Sequence, residues 1–400
     1  MSQNFLYLSI TAGLFISIIL YWLVIPNRLR SLYLFILSLV FISFSGFFHV
    51  CYFLANIALV YLAGLVIAKE SKHKKTILVV TIIWLVSSLC FFKYTNAFLN
   101  FLSNVLGSTS FFSKAHLPQI LLPLGLSYIV FRLIHYIVEL YRKNVAQGTF
   151  VELALYVLFF PTFLAGPVDR FQRFSPQLQG EHKFNLPDFN NGLFRLLRGI
   201  VKKFFIADNL SRLVLPTLIT SQDQPRLFVV AAIYGLAIQI YMDFSGYTDM
   251  ALGASRLFGY KIMENFNKPF LQKNIAMFWR NWHISVYSWI RDYFFFPFFG
   301  YRASAVKLYV GIFLSMMVFM LWHNVSIGFL ILGFYHGLGL VIWQLFQEFK
   351  ARYFKKRIVF ARPFISFAST LFTFSFVSFG FVFFMFDGKT ILEIIRKVFI

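Results

Sequence analysis

Runs of apolar residues, each long enough to cross a lipid bilayer, recur along nearly the whole chain. A transmembrane helix needs about 20 such residues, and the first suitable run covers residues 5–25. Hydrophobic residues make up 59% of the 400 and charged residues only 13%. The alternating pattern of an outer-membrane β-strand is absent. We therefore predict an all-α polytopic integral membrane protein. It would be one domain over residues 1–400, with about ten or eleven spans plus interfacial or re-entrant helices.

The charge is strongly unbalanced, with 37 Lys and Arg against 15 Asp and Glu. The basic residues cluster between apolar runs, most clearly in residues 69–75 and 347–362. Cytoplasmic loops of membrane proteins carry such an excess and face anionic lipid, which accounts for most of it. Either segment could also dock an acidic protein or an anionic donor. Because the clusters are short and lie between spans, nucleic-acid binding is not expected.

Several familiar motifs are missing from the sequence. It contains no Walker A loop, no G-x-G-x-x-G and no H-E-x-x-H, so an ATP-driven pump or a zinc protease is not expected. The two cysteines, Cys51 and Cys90, lie in separate apolar runs and form no metal motif. We expect no bound metal.

Residues 278–292 carry aromatic and charged side chains too densely for a helix that faces lipid. Treated as one helix at 100° per residue, the segment has a single polar stripe, formed by Asn281, Ser285, Ser288 and Asp292. His283 falls on a different face, beside Trp279. We expect such a helix to lie at the membrane interface or to line a cavity enclosed by protein.

The apolar run of residues 120–141 contains ionisable groups. Arg132, His135 and Glu139 recur at i, i+3 and i+7, on one face of a helix. An ionisable side chain at bilayer depth costs a few kcal/mol, so it normally faces a cavity or a partner. Glu139 is expected to pair with Arg132 or to bridge to Arg142. A structural ladder of ion pairs and a role in substrate binding remain equally open.

Two carboxylates flank a glycine where the apolar run of residues 229–244 ends. Asp243 and Asp249 lie on either side of Gly246. Carboxylates left in lipid at such a position would be costly, so we expect them to line a cavity or to pack against polar groups.

Three of the eight histidines, His283, His323 and His336, lie in the last third of the chain beside aromatic residues. A neutral imidazole in an apolar cavity can accept a proton from a hydroxyl that attacks a carbonyl. No nucleophilic Ser or Cys has an evident base beside it, so direct transfer from a thioester fits better than a covalent enzyme intermediate. Intramembrane Asp, Glu and His residues also fit a proton- or ion-coupled transporter or flippase, which the residues alone favour.

The chain resembles the membrane-bound O-acyltransferase (MBOAT) superfamily, and within it the bacterial AlgI/DltB branch. The densest match is FWRNWHIS at 278–285, continuing through WIRDY at 289–293. A second is LWH at 321–323, and a third is YHG at 335–337. Shorter matches are DFSGY at 243–247, NFN at 265–267 with PF at 269–270, PLGLS at 123–127 and AGP at 165–167. A single Trp-x-His is weak, but several such stretches in this order are specific.

The resemblance implies a ring of tilted spans around a central pore or tunnel, with its core at roughly residues 120–340. It implies that His323 is the catalytic histidine and that His283 lines the tunnel or orients substrates. Asn324 stands where the branch usually has Gly, a departure that bears on local loop geometry and substrate preference. Expected substrate-binding residues are Trp279, Arg280, Asn281, Trp282, Ser285, Arg291, Asp292, Trp322, Asn324, His336 and Asp243.

The resemblance also implies a substrate class and a set of partners. The acyl group would come from a cytoplasmic thioester, either acetyl-CoA or a small acidic acyl carrier protein. It would pass to a hydroxyl of a cell-envelope polymer or partner protein, usually with a separate extracytoplasmic acyltransferase. Acetyl is our first choice of acyl group and D-alanyl the second. No bound cofactor is expected, and the protein would lie in the cell membrane.

Overall fold

The protein is described from a computed structural model that covers residues 3–69, 71–106, 120–180, 183–302, 304–353 and 362–400. These residues are helical wherever they are regular, and none of them lies in a strand. The helices of the first half are α1 Gln3–Leu23, α2 Arg30–Ser43, α3 Phe47–Ala68, α4 Lys74–Leu106, α5 Leu126–Tyr141, α6 Phe150–Leu158, α7 Phe171–Gln179 and α8 Leu186–Ile200. Those of the second half are α9 Asp208–Ile219, α10 Arg226–Leu257, α11 Ile275–Asn281, α12 Ile284–Ile290, α13 Phe296–Phe299, α14 Ala305–His323, α15 Ile327–Tyr353, α16 Arg362–Met385 and α17 Gly388–Phe399.

The prediction of an all-α polytopic membrane protein is confirmed. Among the described residues, six helices are long and apolar enough to cross a membrane: α3, α4, α10, α14, α15 and α16. Two shorter apolar segments are Ala12–Leu23, which lies within α1, and Phe150–Thr162, which contains α6 and the turn after it. Sequence reasoning predicted about ten or eleven spans. The six helices are a count of the described residues alone, so the predicted number of spans stays a prediction. Helices α2 and α5, with 14 and 16 residues, are too short to cross alone.

The chain divides into two compact units. The first comprises Met1–Leu197 and Asp249–Met263, and the second comprises Arg198–Thr248 and Glu264–Ile400. In the first unit α2, α3, α5 and α6 pack together. Aromatic rings fill its core, as in the stacking of Phe174 on Tyr260 at 5.5 Å. In lipid such rings stabilise the fold through close van der Waals contact rather than through removal from water.

Arg132 makes five hydrogen bonds through its side chain in the first unit. Its buried guanidinium donates hydrogen bonds of 2.8 to 3.3 Å to the carbonyl oxygens of Tyr156, Val157, Thr162 and Pro167 and to the Thr162 hydroxyl. Helix α6 ends at Leu158, so these include carbonyls left without helical partners. A cation at a helix carboxyl end also complements the helix dipole. Arg132 therefore fastens α5 to the end of α6 and to the Gly166-Pro167 turn.

The other ionisable groups of α5 also make structural contacts. Glu139 forms an ion pair with Arg142 at 3.0 Å, so the predicted bridge between these two residues is present. Glu139 also accepts hydrogen bonds from the side chains of Asn144 and Gln172, at 2.8 and 3.0 Å. His135 Nε2 accepts the Phe171 backbone N–H at 2.8 Å. Of the two hypotheses for this helix face, these contacts favour the structural one.

Helix α10 corrects the expected position of two carboxylates. Asp243 and Asp249 lie within the helix, which continues to Leu257, and not at the end of a span. In the first unit Asp249 pairs with Arg195 at 3.0 Å, and in the second unit Asp243 pairs with Lys203. These ion pairs are polar packing contacts, one of the two expected arrangements, and the substrate-binding role expected of Asp243 stays a prediction. The helix continues through Ser245-Gly246, and the backbone of Gly199 and Lys203 packs closely against it at Gly246.

The tight packing of α10 depends on glycines spaced seven residues apart. A Cβ on Gly253 would lie 2.5 Å from Leu196 N and 2.8 Å from Gly192 O, both on α8. A Cβ on Gly246 would lie 2.9 Å from Gly199 O. Small residues allow transmembrane backbones to approach this closely.

Candidate active site

The segment of residues 278–292 is a broken helix, which corrects the prediction of a single one. Helix α11 ends at Asn281, Trp282 is extended, and α12 begins at Ile284. His283 lies between the two helices in a left-handed conformation, with φ 48° and ψ 47°. Few residues other than glycine adopt this conformation, although histidine is among those that tolerate it. The predicted polar stripe therefore does not exist as one face.

A loop from outside the segment stabilises the break. The Ile284 N–H donates to the Asn265 carbonyl at 2.9 Å, and the Asn267 N–H donates to the Asn281 carbonyl at 3.1 Å. These bonds satisfy backbone groups that the interrupted helix leaves unpaired. Neither glycine nor proline marks the break, so nothing local in the sequence predicts it.

Asn265 also binds the His283 side chain. Asn265 is fully buried, and its Oδ1 lies 3.1 Å from His283 Nδ1. The same oxygen accepts the Ser285 hydroxyl at 2.8 Å and the Ser285 N–H at 3.3 Å. One side-chain oxygen thus holds both the histidine and the first turn of α12.

The structure brings His283 and His323 close together. His323 is the last residue of α14, and its ring centroid lies 6.4 Å from that of His283. The Phe319 ring lies 5.9 Å from the His283 ring and 5.5 Å from the His323 ring. Trp322 and Phe244 lie 6.0 and 4.7 Å from His283. Two imidazoles therefore share an aromatic enclosure.

Burial governs the ionisation of His283, which lies outside the six candidate spans. Burial, and secondarily the neighbouring His323, hold the pKa of His283 well below its usual range. The imidazole is therefore neutral at physiological pH and can accept a proton or a hydrogen bond.

Two further predicted residues lie in a layer behind this pair. The Trp279 ring packs edge-on against His336, with centroids 5.1 Å apart, and also lies 5.1 Å from Phe319. His336 is buried, and its Nε2 lies 2.7 Å from the position a Cβ on Gly380 would occupy. Both residues thus support the wall of the enclosure, and no contact between either of them and His323 is among those recorded for the described residues.

A cleft of about 250 Å³ lies beside the histidines in the second unit. Its lining is mainly apolar and aromatic, from α11 to α15, and it includes Phe319, Tyr287 and Trp343. Arg280 and Arg291 line it as well, and both are exposed. Because Phe319 also packs against both imidazoles, one ring separates the cleft from the histidine pair.

The remaining predicted residues occupy other positions. Trp282 packs among Phe266, Phe270 and Phe278 at 5.1 to 5.9 Å. The Asn281 side chain donates to the Met277 carbonyl of its own helix, and Asn324 is exposed in the turn after α14. Asp292 binds Arg291, and Asp243 binds Lys203. The structure therefore joins His283, His323, Trp322 and Ser285 in one site, with Arg280 and Arg291 on the adjoining cleft.

Sequence reasoning missed Asn265, Phe244 and Phe319 as parts of the site. Asn265 and Phe244 fall in two of the short motifs that carry the family resemblance, so the signal was present although no role had been attached to it. Phe319 lies one helical turn before His323, on the same face of α14, a position that resembles any apolar residue of a span.

A family model described as "MBOAT, membrane-bound O-acyltransferase family" matches residues 31–386. The chain is 35% identical over 322 residues to a probable alginate O-acetylase, AlgI, of Pseudomonas aeruginosa, covering 79% of this chain and 61% of that relative. It is 31% identical over 300 residues to the teichoic acid D-alanyltransferase of Bacillus subtilis, covering 72% and 75%. It is 30% identical over 386 residues to the peptidoglycan O-acetyltransferase of Helicobacter pylori, covering 88% and 70%. The chain thus spans about three fifths of the AlgI relative's length.

Proposed function

Because the chain belongs to the membrane-bound O-acyltransferase family, we propose that it moves an acyl group from a thioester donor to a hydroxyl of a cell-envelope polymer or partner protein. The observation that carries the proposal is the pair of imidazoles, His283 and His323, next to a cleft lined by two arginines. In this proposal His323 is the general base.

The chemistry requires one proton acceptor and no covalent enzyme intermediate. The acceptor hydroxyl oxygen attacks the thioester carbonyl while His323 takes the hydroxyl proton. A new C–O bond forms, the C–S bond breaks, and the proton passes to the leaving sulfur. Protein rings pack around both imidazoles, and His283 is buried, which limits the access of water that would otherwise hydrolyse the thioester.

The cleft has the features that a phosphate-bearing thioester donor requires. Arg280 and Arg291 supply guanidinium groups, which bind phosphate in a fixed fork geometry. The apolar walls suit an extended carrier arm. The buried Ser315 hydroxyl in the lining has no hydrogen-bond partner among the described residues, so it can bond to an amide of such an arm. Acetyl-CoA and an acyl-loaded carrier protein both have this chemistry.

Acetyl is our preferred acyl group, with D-alanyl second. Aromatic rings crowd His323 on several sides, with Phe329 at 6.2 Å and Phe384 at 5.8 Å. Such an enclosure favours a small acyl group over a long chain. Two of the relatives described above are named for O-acetylation and one for D-alanylation.

We place the protein in the cell membrane, with the donor arriving from the cytoplasm. Residues 69–75 and 347–362 are candidate docking surfaces for an acidic carrier protein, although residues 70 and 354–361 lie outside the described part of the chain. The acceptor would be an envelope polysaccharide or cell-wall polymer, reached with the help of an extracytoplasmic partner. Membrane lipid surrounds the spans, and no role for nucleic acid is proposed.

No observation favours the transporter alternative. That hypothesis relied on Glu139, Asp243 and Asp249 as a path for protons or ions. Each of these carboxylates binds a cationic side chain: Arg142, Lys203 and Arg195, respectively. Carboxylates paired in this way serve packing.

Acyl transfer in proteoliposomes tests the proposal. The purified protein is offered radiolabelled acetyl-CoA or a D-alanyl carrier protein, together with envelope polymers and the extracytoplasmic partner. Wild type is compared with His323→Ala and with His49→Ala, the same change at a half-buried histidine near the start of α3 in the first unit. We expect wild type and His49→Ala to label the acceptor equally and His323→Ala to lose roughly 100-fold or more, the usual contribution of a general base.

Different outcomes would contradict the role of His323 and the acyltransferase activity itself. Full transfer by a folded His323→Ala protein would show that another group is the base. If wild type moves neither acyl group to any acceptor, while changes at Asp243 or Asp249 abolish ion flux, the protein is a transporter.

A further inference from the structure

Three contacts converge on one atom beside the histidine pair. The Oδ1 atom of Asn265 lies within hydrogen-bond distance of the Ser285 N–H, the Ser285 hydroxyl and His283 Nδ1. A backbone N–H can only donate, so the Asn265 atom facing it must be the carbonyl oxygen. The orientation of the Asn265 amide is therefore fixed.

The tautomer of His283 follows from that orientation. An amide oxygen only accepts, so the Nδ1 atom at 3.1 Å must carry the proton. A neutral imidazole with a proton on Nδ1 has its lone pair on Nε2. Left-handed backbone at His283 and the bond from Ile284 N to Asn265 O fix the ring relative to the same loop.

Two buried polar atoms remain open at this place. Neither His283 Nε2 nor Asn265 Nδ2 has a hydrogen-bond partner among the described residues. Buried atoms of this kind are rarely left unpaired, so they indicate a polar occupant. The 6.4 Å between the His283 and His323 ring centroids is too long for a direct bond and suits one bridging oxygen.

We propose that Asn265 is a positioning residue for acyl transfer. It holds His283 as the Nδ1–H tautomer, so that Nε2 accepts a hydrogen bond from the acceptor hydroxyl bound between His283 and His323. Asn265 thereby directs that hydroxyl toward His323 without touching the reacting atoms. This inference rests on the proposed function, because it assumes that a hydroxyl is the nucleophile.

Matched variants separate positioning from a merely structural role. Asn265→Ala removes the oxygen, whereas Asn265→Asp keeps an acceptor at the same place. Asn267→Asp makes the same chemical change two residues away, where the side chain is exposed and makes no recorded bond to His283. The measurements are kcat and KM in the acyl-transfer assay from pH 5 to 9, and ¹⁵N NMR of histidine-labelled protein, with the His283 signals assigned from His283→Gln.

We expect wild type to show a protonated Nδ1 and an unprotonated Nε2 at His283. Asn265→Ala should mix the tautomers and lower kcat by roughly tenfold or more, as loss of a second-shell orienting group does in metal sites. Asn265→Asp should restore the tautomer and much of kcat. The new carboxylate raises the pKa of His283, so activity should be lost at a higher pH on acidification than in wild type. Asn267→Asp should leave tautomer and profile unchanged.

Among the described residues few titratable groups lie near His283, so a change in the pH profile can be assigned to this histidine. His323 on α14 is the titratable neighbour that lowers the pKa of His283, and Phe244, Phe319 and Trp322 surround the ring without titrating. An unchanged tautomer in Asn265→Ala would overturn the proposal, as would equal pH profiles for Asn265→Asp and Asn267→Asp. If either of these results were obtained while wild type still transferred the acyl group in a reaction that needs His323, the proposed function would hold and only the role of Asn265 would be wrong.

Discussion

The two arginines of the cleft differ in what they already bind. The Arg291 Nε–H donates to Asp292 Oδ1 at 2.8 Å, so part of its guanidinium is engaged. Arg280 has no ion pair or hydrogen bond through its side chain among the described residues, and it is exposed at the cleft. An unengaged guanidinium offers five N–H donors to an incoming anion. Arg280 is therefore the residue on which donor phosphate recognition should depend most.

Replacing Arg280 with alanine should weaken binding of the donor more than it slows chemistry. A hydrogen bond to a charged group contributes about 1.5–3 kcal/mol, so we expect KM for the donor to rise roughly tenfold or more while kcat changes little. Arg280→Lys should recover only part of the loss, because lysine lacks the planar fork. Arg212→Ala removes an exposed charge away from the cleft and serves as the control. Equal KM values for the Arg280 and Arg212 variants would contradict this assignment.

Sequence reasoning selected the two histidines of the candidate site but not the residue that holds His283 in place. His283 and His323 could be selected because histidine between aromatic residues in an apolar chain requires an explanation. Asn265 could not be assigned a role, because its partners are 18 and 20 residues away and meet it only through the break at His283. A left-handed histidine is stable only where tertiary contacts hold it, and those contacts are invisible to local patterns.

At the scale of elements, periodicity identifies helices well and interruptions poorly. Helix α10 was predicted to end near Asp243, yet it continues to Leu257, whereas residues 278–292 were predicted to be continuous and are broken. Both errors have the same origin. Tertiary contacts, which a local pattern does not contain, are present at both places. Neighbouring backbone packs closely against α10 at Gly246, and hydrogen bonds from the loop around Asn265 stabilise the interruption at His283.

Gly253→Ala tests whether α10 depends on its glycine contacts. A methyl group there would lie 2.5 Å from Leu196 N, a backbone atom that cannot move aside alone. Overpacking of this kind costs about 1–3 kcal/mol, so the melting temperature of the purified protein in detergent should fall. Gly388→Ala is the matched control, since nothing lies within 4 Å of that position at the start of α17. A Gly253→Ala protein as stable as the Gly388→Ala protein would show that the helices can separate without loss.

At the scale of the whole molecule, the chain carries a net charge of +22. In the second unit the basic residues of one helical hairpin gather at one of its two ends. Helices α14 and α15 form a hairpin, and the Tyr309 hydroxyl donates to Glu348 Oε2 at 2.6 Å, joining the start of α14 to the end of α15. That end of the hairpin carries Arg302, Lys307, Lys350 and Arg352. The turn at the other end, residues 324–326, carries no charge. The positive-inside rule predicts that the basic end is cytoplasmic.

The position of the cleft along α14 agrees with that orientation. Leu308, Ile312 and Ser315 line the cleft from the basic end inward, and Phe319 closes it below His323. A donor entering from the cytoplasm would thus meet the cleft first and the histidines last. Sequence reasoning had already predicted a cytoplasmic loop at residues 347–362 by the same rule. The pairing of α14 with α15 adds that Arg302 and Lys307 lie at the same end of the hairpin.

Cysteine labelling at the two ends of α14 tests the orientation. Ser304→Cys and Ser326→Cys make the same small change at exposed positions on opposite ends of one span, in a protein whose Cys51 and Cys90 are replaced by serine. A maleimide that cannot cross membranes should label Ser304→Cys in inside-out vesicles only and Ser326→Cys in right-side-out vesicles only. Retained acyl transfer by each variant shows that the labelled fold is the native one. The reverse pattern would place the arginine-lined cleft outside the cell, where no acyl thioester is supplied, and the donor would then have to enter by a different route.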